Sequence, residues 1–273
     1  MTTELIRVGA LRLRVHRRGE GSPLLLINGI GASLEMWEPL LRELPGRELI
    51  AFDMPGCGLS SSPLLPLRMR DLVGLVAELM HVLGRSRADV LGYSHGGLVA
   101  QELAHRHPER VERLVLCATS PGIPSIPPNP VVTWLMLTPA RYYNRSAAEW
   151  IVPRIAGGET RRDPDAMRVN LHRRLAHAPS ARSYAYQLWA TVGWSSHPWL
   201  RRLRQPTLVL HGDDDPLVPV ANARYLARSI PGATLQVMPG AGHLLLLDEP
   251  ARAARHIDAF LATAPTRPAP VSR

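Results

Sequence analysis

The chain has 273 residues, 45% of them apolar and 20% charged, an ordinary globular composition that excludes collagen-like, coiled-coil and wholly disordered chains. No apolar run approaches the roughly 18–20 residues of a membrane-spanning helix, and the opening MTTELIRVGALRLRV interleaves Arg and Glu with apolar positions, so neither a transmembrane nor an exported protein is expected. The formal net charge of +9 invites a nucleic-acid reading, but the chain has no lysine and its arginines lie scattered in short pairs such as Arg17-Arg18 and Arg161-Arg162, so no nucleic-acid partner is expected.

Residues 4–18 read as two short strands turning near Gly9-Ala10. Continuous apolar runs follow at 23–27, 48–52, 88–91, 113–118, 207–210 and 234–238. Short β-prone runs without alternation are buried on both faces, as in a parallel sheet. Helical patterns lie between or after them at 71–83, 97–107, 221–229 and 251–261. This alternation predicts an α/β fold with a mostly parallel, doubly wound sheet.

Residues 121–200 break the rhythm. The stretch opens with PGIPSIPPNP, which reads as a linker, and carries helical patterns around 139–155, 163–177 and 183–193. Five of the six Trp and four of the six Tyr fall here, so the stretch reads as an inserted helical cap with its own aromatic core, some of it facing an apolar pocket. The expected organisation is a core from 1–120 and 201–261, a cap at 121–200 and a flexible Pro- and Ala-rich tail at 262–273. Cys57 and Cys117 lack CxxC spacing and suit reduced cytoplasmic thiols.

The sharpest motif is Gly92-Tyr93-Ser94-His95-Gly96, between a predicted strand and a predicted helix. That is the setting of a nucleophile elbow, where glycines relieve a tight turn and the serine hydroxyl stands exposed at a helix N-terminus. A base and an orienting acid follow in the order this chemistry takes. Gly212-Asp213-Asp214-Asp215-Pro216 follows the 207–210 strand, and Gly240-Ala241-Gly242-His243 follows the last strand. His243 is the expected base and Asp215 the expected acid, with Asp213 and Asp214 capping the loop or facing solvent. The expected oxyanion donors are the backbone N–H of His95 and that of Ile30, in the Asn28-Gly29-Ile30-Gly31 loop. His95 itself, adjacent on a tight elbow, points away from Ser94 and lines the pocket. Asn28, Gly29, Trp134 and Trp189 are the candidate substrate-binding residues. A dinucleotide reading of the 28–34 loop fails at its third glycine, which is Leu34. A metal site from His211 and the three aspartates lacks partners at ligand spacing, so no cofactor and no metal are expected.

Taken together, these residues resemble the α/β-hydrolase superfamily from Leu24 to Leu261. More narrowly, Leu26-Ile27-Asn28-Gly29-Ile30-Gly31-Ala32, Pro108-Glu109-Arg110, Arg161-Arg162-Asp163-Pro164 and the stretch Gln205 to Leu217 resemble intracellular polyhydroxyalkanoate depolymerases of the medium-chain-length type. In that family Trp usually follows the nucleophile; here it is His95. The resemblance implies Ser94, Asp215 and His243 as a triad, an apolar polyester as substrate, and a cytoplasmic site of action at a polymer granule. Composition and spacing by themselves support a serine esterase with an apolar, capped site. The alternatives are a soluble small-molecule esterase, lactonase or carbon–carbon bond hydrolase, and a scaffold that has lost the chemistry.

Overall fold

A computed structural model describes residues 2–263. Eight strands form one sheet: β1 (Thr2–Val8), β2 (Leu11–Arg18), β3 (Pro23–Ile27), β4 (Glu48–Phe52), β5 (Ala88–Tyr93), β6 (Val111–Cys117), β7 (Thr207–Gly212) and β8 (Thr234–Met238). Their spatial order is β1-β2-β4-β3-β5-β6-β7-β8. The β1–β2 and β2–β4 pairs are antiparallel, and every other pair is parallel. The expected α/β class and mostly parallel sheet are therefore what the chain adopts.

The unbroken apolar runs follow from burial on both faces. Leu25 and Ile27 of β3, Val90 of β5, Leu114 and Leu116 of β6 and Val209 of β7 point into one core. Leu24 and Leu26, Leu91, Val115 and Cys117, and Leu208 and Leu210 point into the other. The first core is closed by α2 (Met69–Val82), α3 (His95–Arg106) and α9 (Val220–Ser229). The second is closed by α1 (Glu38–Glu43), which the sequence pattern missed, and by later helices given below.

Between β6 and β7 the chain runs through α4 (Pro130–Leu137), α5 (Arg145–Ala156), α6 (Gly158–Arg162), α7 (Pro164–Leu175) and α8 (Ala181–Thr191). The expected linker thus ends at a helix. Asn129 caps α4 by accepting from Val132 N at 2.9 Å, and Pro130 occupies its first position. That Asn-Pro pair is a local helix-start signal. The helix expected over 139–155 is broken instead: a 3₁₀ turn at Pro139–Tyr142 precedes α5, whose start is fixed by the Asn144 side chain accepting from Ala147 N. After β8 come α10 (Leu245–Asp248) and α11 (Pro250–Leu261), which pack on the second core. Of the expected tail, residues 264–273 lie outside the described residues. Among the described residues no helix is long and apolar enough to cross a membrane.

The inserted helices touch the loops that leave the C-terminal ends of the parallel strands. Tyr142 lies against Gly31 after β3, and Ser183 against Gly56 after β4. Gly157 meets Asp214 after β7, and Gly158 meets Gly242 after β8. This is the edge where open α/β sheets place their ligands.

Candidate active site

The turn from β5 to α3 is tight enough to put Ser94 at φ +53°, a left-handed conformation that costs a non-glycine residue free energy. Two glycines make it possible. A Cβ on Gly92 would lie 2.5 Å from the Gly96 carbonyl oxygen, and one on Gly96 would lie 2.0 Å from that of Ile27. The turn is pinned by Ser94 N donating to the Cys117 carbonyl at 2.9 Å and by the Thr119 hydroxyl donating to the Ser94 carbonyl at 2.7 Å.

The loop after β8 brings His243 to this turn. Its Nε2 lies 3.0 Å from Ser94 Oγ and its Nδ1 lies 2.8 Å from Asp215 Oδ2. With Nδ1–H donating to the carboxylate, Nε2 is left as acceptor for the serine hydroxyl. The loop is held from both sides: His243 N donates to the Ala156 carbonyl at the end of α5, and Tyr93 Oη donates to the His243 carbonyl at 3.0 Å.

Asp215 is buried, and burial alone would raise its pKa. His243 and His211 outweigh that and hold it down to about 2. Its other oxygen accepts from Leu217 N and Val218 N, so the carboxylate cannot rotate away. The two neighbouring aspartates have other tasks. Asp213 accepts from Gly240 N at 2.6 Å. Asp214 accepts from Gly158 N and pairs with Arg161.

Ile30, which carries one expected backbone donor, lines both cavities at Ser94, and His95, which carries the other, follows Ser94 in the chain and lines one of them. His95 opens α3, so its N–H has no intrahelical acceptor, and no acceptor for either N–H is found among the described residues. The loop carrying Ile30 is fastened by the inserted helices. Tyr142 Oη donates to the Ile30 carbonyl at 2.9 Å. Gly31 N donates to Gln187 Oε1 at 2.9 Å, and Gln187 Nε2 donates to Cys57 Sγ. Sequence reasoning missed Tyr142 and Gln187, because nothing local marks a residue whose partner is over a hundred positions away.

Two cavities meet at Ser94. One, of about 40 Å³, is walled by Gly29, Ile30, Gly31, Arg141, Tyr142 and His243. The other, of about 310 Å³, is mostly apolar and walled by His95, Leu98, Ile123, Met136, Leu137 and Leu188 among others. The buried His95 ring lines this second cavity. Burial pushes its pKa down to about 4, against a smaller opposing effect of the Gln187 backbone.

Three of the four candidate substrate-binding residues need correction. Trp134 and Trp189 line neither cavity. Trp134 is 64% exposed on the outer face of α4, and Trp189 is 42% exposed with the Arg68 guanidinium 5.0 Å from its ring centre. The aromatics that do line the cavities are Tyr93, Tyr142 and Trp194. Asn28 is buried below the site, donating to the Ser33 carbonyl and accepting from Gly29 N, so it shapes the loop from beneath. Gly29 does line the smaller cavity. Cys57 and Cys117 are free, buried thiols whose pKa burial raises, Cys57 to about 12, so neither is a nucleophile.

Comparison with known proteins agrees with this geometry. The chain is 44% identical over 246 residues to a poly(3-hydroxyalkanoate) depolymerase of Ectopseudomonas oleovorans, covering 88% of this chain and 84% of that one. It is 31% identical to a 2-hydroxymuconate semialdehyde hydrolase of Pseudomonas sp. (strain CF600), covering 96% and 94%. Among solved structures, the enol-lactonase from Burkholderia xenovorans LB400 superposes with a TM-score of 0.83 at 26% identity, covering 95% of this chain and all of that one. Residues 24–256 match the model of the alpha/beta hydrolase family, and the chain belongs to that family.

Proposed function

We propose that the protein is a serine esterase that hydrolyses polyhydroxyalkanoate or its oligomers at the surface of a cytoplasmic polymer granule. The observation that carries this reading is the hydrogen-bonded line Ser94–His243–Asp215 opening on a large apolar cavity. In this mechanism Ser94 Oγ attacks the ester carbonyl while His243 Nε2 takes its proton. Asp215 holds the imidazole in the required tautomer and stabilises the imidazolium. The N–H groups of Ile30 and His95 receive the oxyanion. His243 then protonates the departing alkoxide, leaving an acyl ester on Ser94. Water, deprotonated by His243, attacks that ester and releases the acid, restoring Ser94. Residues 121–200 act as a cap over a core formed by 1–120 and 201–261.

The rim of the larger cavity supports a water-insoluble substrate. Ile123, Ile126 and Leu137 line it and are nevertheless exposed. Such a contiguous apolar rim is what a polymer surface would cover. The relative from Ectopseudomonas oleovorans is named as a depolymerase of this class, which supports the same substrate here.

The test is loss of turbidity of purified medium-chain polyhydroxyalkanoate granules beside hydrolysis of a soluble medium-chain ester, each with Ser94→Ala as control. Clearing that requires Ser94 is the expected outcome. Ester hydrolysis without clearing would overturn the polyester reading and leave a soluble esterase or lactonase. Retention of either activity in Ser94→Ala would overturn the mechanism.

A further inference from the structure

Arg141 is 2% exposed and lines the smaller cavity together with Ser94 and His243. Other arginines shielded from solvent face carboxylates: buried Arg113 pairs with Asp89, and half-buried Arg14 with Glu35 and Asp53. Arg141 faces none among the described residues. Its Nη1 donates to the carbonyls of Leu135, Met136 and Thr138, at 3.4, 3.2 and 2.8 Å. Its Nη2 donates to Tyr184 Oη at 2.6 Å. The guanidinium stands 4.7 Å from the centre of the Tyr142 ring and 5.0 Å from that of Tyr184. Nε is buried and has no acceptor.

The carbonyls belong to the last turn of α4, where a helix offers about half a negative charge. The tyrosine faces add a quadrupole attraction. Neither is a counter-ion, and a buried full charge without one is costly. A fixed cation that pairs with no carboxylate among the described residues, lining the same cavity as a reactive serine, fits an anion carried by the substrate itself. Guanidinium geometry suits a carboxylate.

We propose that Arg141 seats the free carboxylate at the end of the substrate chain. The proposal rests on the polyester reading above. In a linear ester of 3-hydroxy acids, the terminal carboxylate lies on the alcohol side of the last ester bond. Seating it beside Ser94 directs attack to that bond. The carbonyl of the preceding unit is acylated onto Ser94, and the alkoxide of the terminal unit takes the proton from His243 and leaves as a free 3-hydroxy acid. Water then releases the shortened chain, which carries a new terminal carboxylate. The apolar remainder occupies the larger cavity. Cleavage therefore proceeds from the carboxyl end, one unit at a time.

The experiment compares the linear dimer of 3-hydroxyoctanoate as free acid and as methyl ester, alongside inhibition of p-nitrophenyl octanoate hydrolysis by 3-hydroxyoctanoate and by its methyl ester. The wild type is expected to favour the free-acid dimer in kcat/KM on the order of tenfold, one charge-assisted hydrogen bond's worth of discrimination. It is expected to be inhibited by the free acid much more strongly than by the ester. Arg141→Gln is expected to bring both ratios towards one, each ratio being read within the variant. If the methyl-ester dimer is cleaved as fast as the acid, the carboxylate seat fails and the polyester reading stands. If neither dimer is cleaved while the aryl ester is, the polyester reading fails and the inhibitor pair decides: selective inhibition by the acid upholds the seat, equal inhibition overturns it. Should Arg141→Gln not fold, the wild-type ratios alone decide.

Discussion

The hydroxyl of Tyr142 donates to the carbonyl of Ile30 across 2.9 Å, so a residue of the inserted segment grips the peptide next to the proposed oxyanion donor. The contact is close: a Cβ on Gly31, at φ +67°, would lie 2.4 Å from that hydroxyl. Removing the hydroxyl frees the loop without removing the donor. Tyr142→Phe is expected to lower kcat about tenfold, less than the loss of an oxyanion donor itself, with a smaller change in KM. Steady-state kinetics on a soluble ester checks this; an altered KM with unchanged kcat would make Tyr142 a binding residue only.

The three consecutive aspartates separate by their partners. Asp215→Asn is expected to cost 10³–10⁴-fold in kcat, because the amide cannot hold the imidazole tautomer (an order-of-magnitude estimate). Asp214→Asn is expected to retain most activity and to lose about 1 kcal/mol of stability, since its partner Arg161 is half exposed. Rates and urea midpoints of the two variants, measured side by side, distinguish these roles. A larger rate loss in Asp214→Asn would move the orienting acid.

The buried neutral His95 links stability to pH. Its folded pKa of about 4 lies below the ordinary value of 6.5. Between those limits the unfolded chain binds a proton that the folded chain refuses, so stability falls as pH drops from 6.5 towards 4 and stops falling below it. Relative to His95→Leu, the wild type is expected to lose about 2 kcal/mol more on going from pH 7 to pH 5. Urea unfolding of both proteins at both pH values gives this difference, in which other titrating groups cancel; equal losses would mean that His95 is protonated in place.

Gly96 leaves no room for a side chain. Its Cβ would meet the Ile27 carbonyl oxygen at 2.0 Å, and that oxygen belongs to the central strand β3. Gly96→Ala is expected to destabilise by about 3 kcal/mol or more and to abolish labelling of Ser94 by a fluorophosphonate. Gly232→Ala, at a position with open space but φ +70°, provides a strained but unclashing comparison.

The central strands and the residues that follow them were legible because each carries a local mark. Unbroken β-prone runs gave β3 to β8, and short glycine-bearing loops after β3, β5, β7 and β8 held Ile30, Ser94, Asp215 and His243. Asp215 stands apart from Asp213 and Asp214 in the sequence by the Gly-x-x-Asp-x-x-Val-Pro pattern from Gly212 to Pro219, and it is the one that meets His243. The inserted segment was less legible. Aromatic content singled out Trp134 and Trp189, yet exposure there is set by which face of a helix meets the core, and four-residue gaps without a clear apolar period do not reveal that face. Tyr142 and Gln187 act through partners distant in sequence, which no periodicity encodes. The short helices α1, α6 and α10 are each six residues or fewer, too brief for a repeating pattern to emerge.

The end of α5 has a consequence for traffic through the site. Ala156 accepts the amide of His243, the Gly158 amide donates to Asp214, and Thr160 donates to Asp248. On this flank, peeling the inserted helices away would unmoor the imidazole, so an open door here is an idle enzyme. The opposite flank, where the 123–129 loop and α4 expose their apolar side chains, does not hold the imidazole. Substrate exchange is expected on that side. Amide hydrogen exchange should register the division: protection of His243 should rise and fall with that of the last turn of α5, while α4 exchanges on its own schedule.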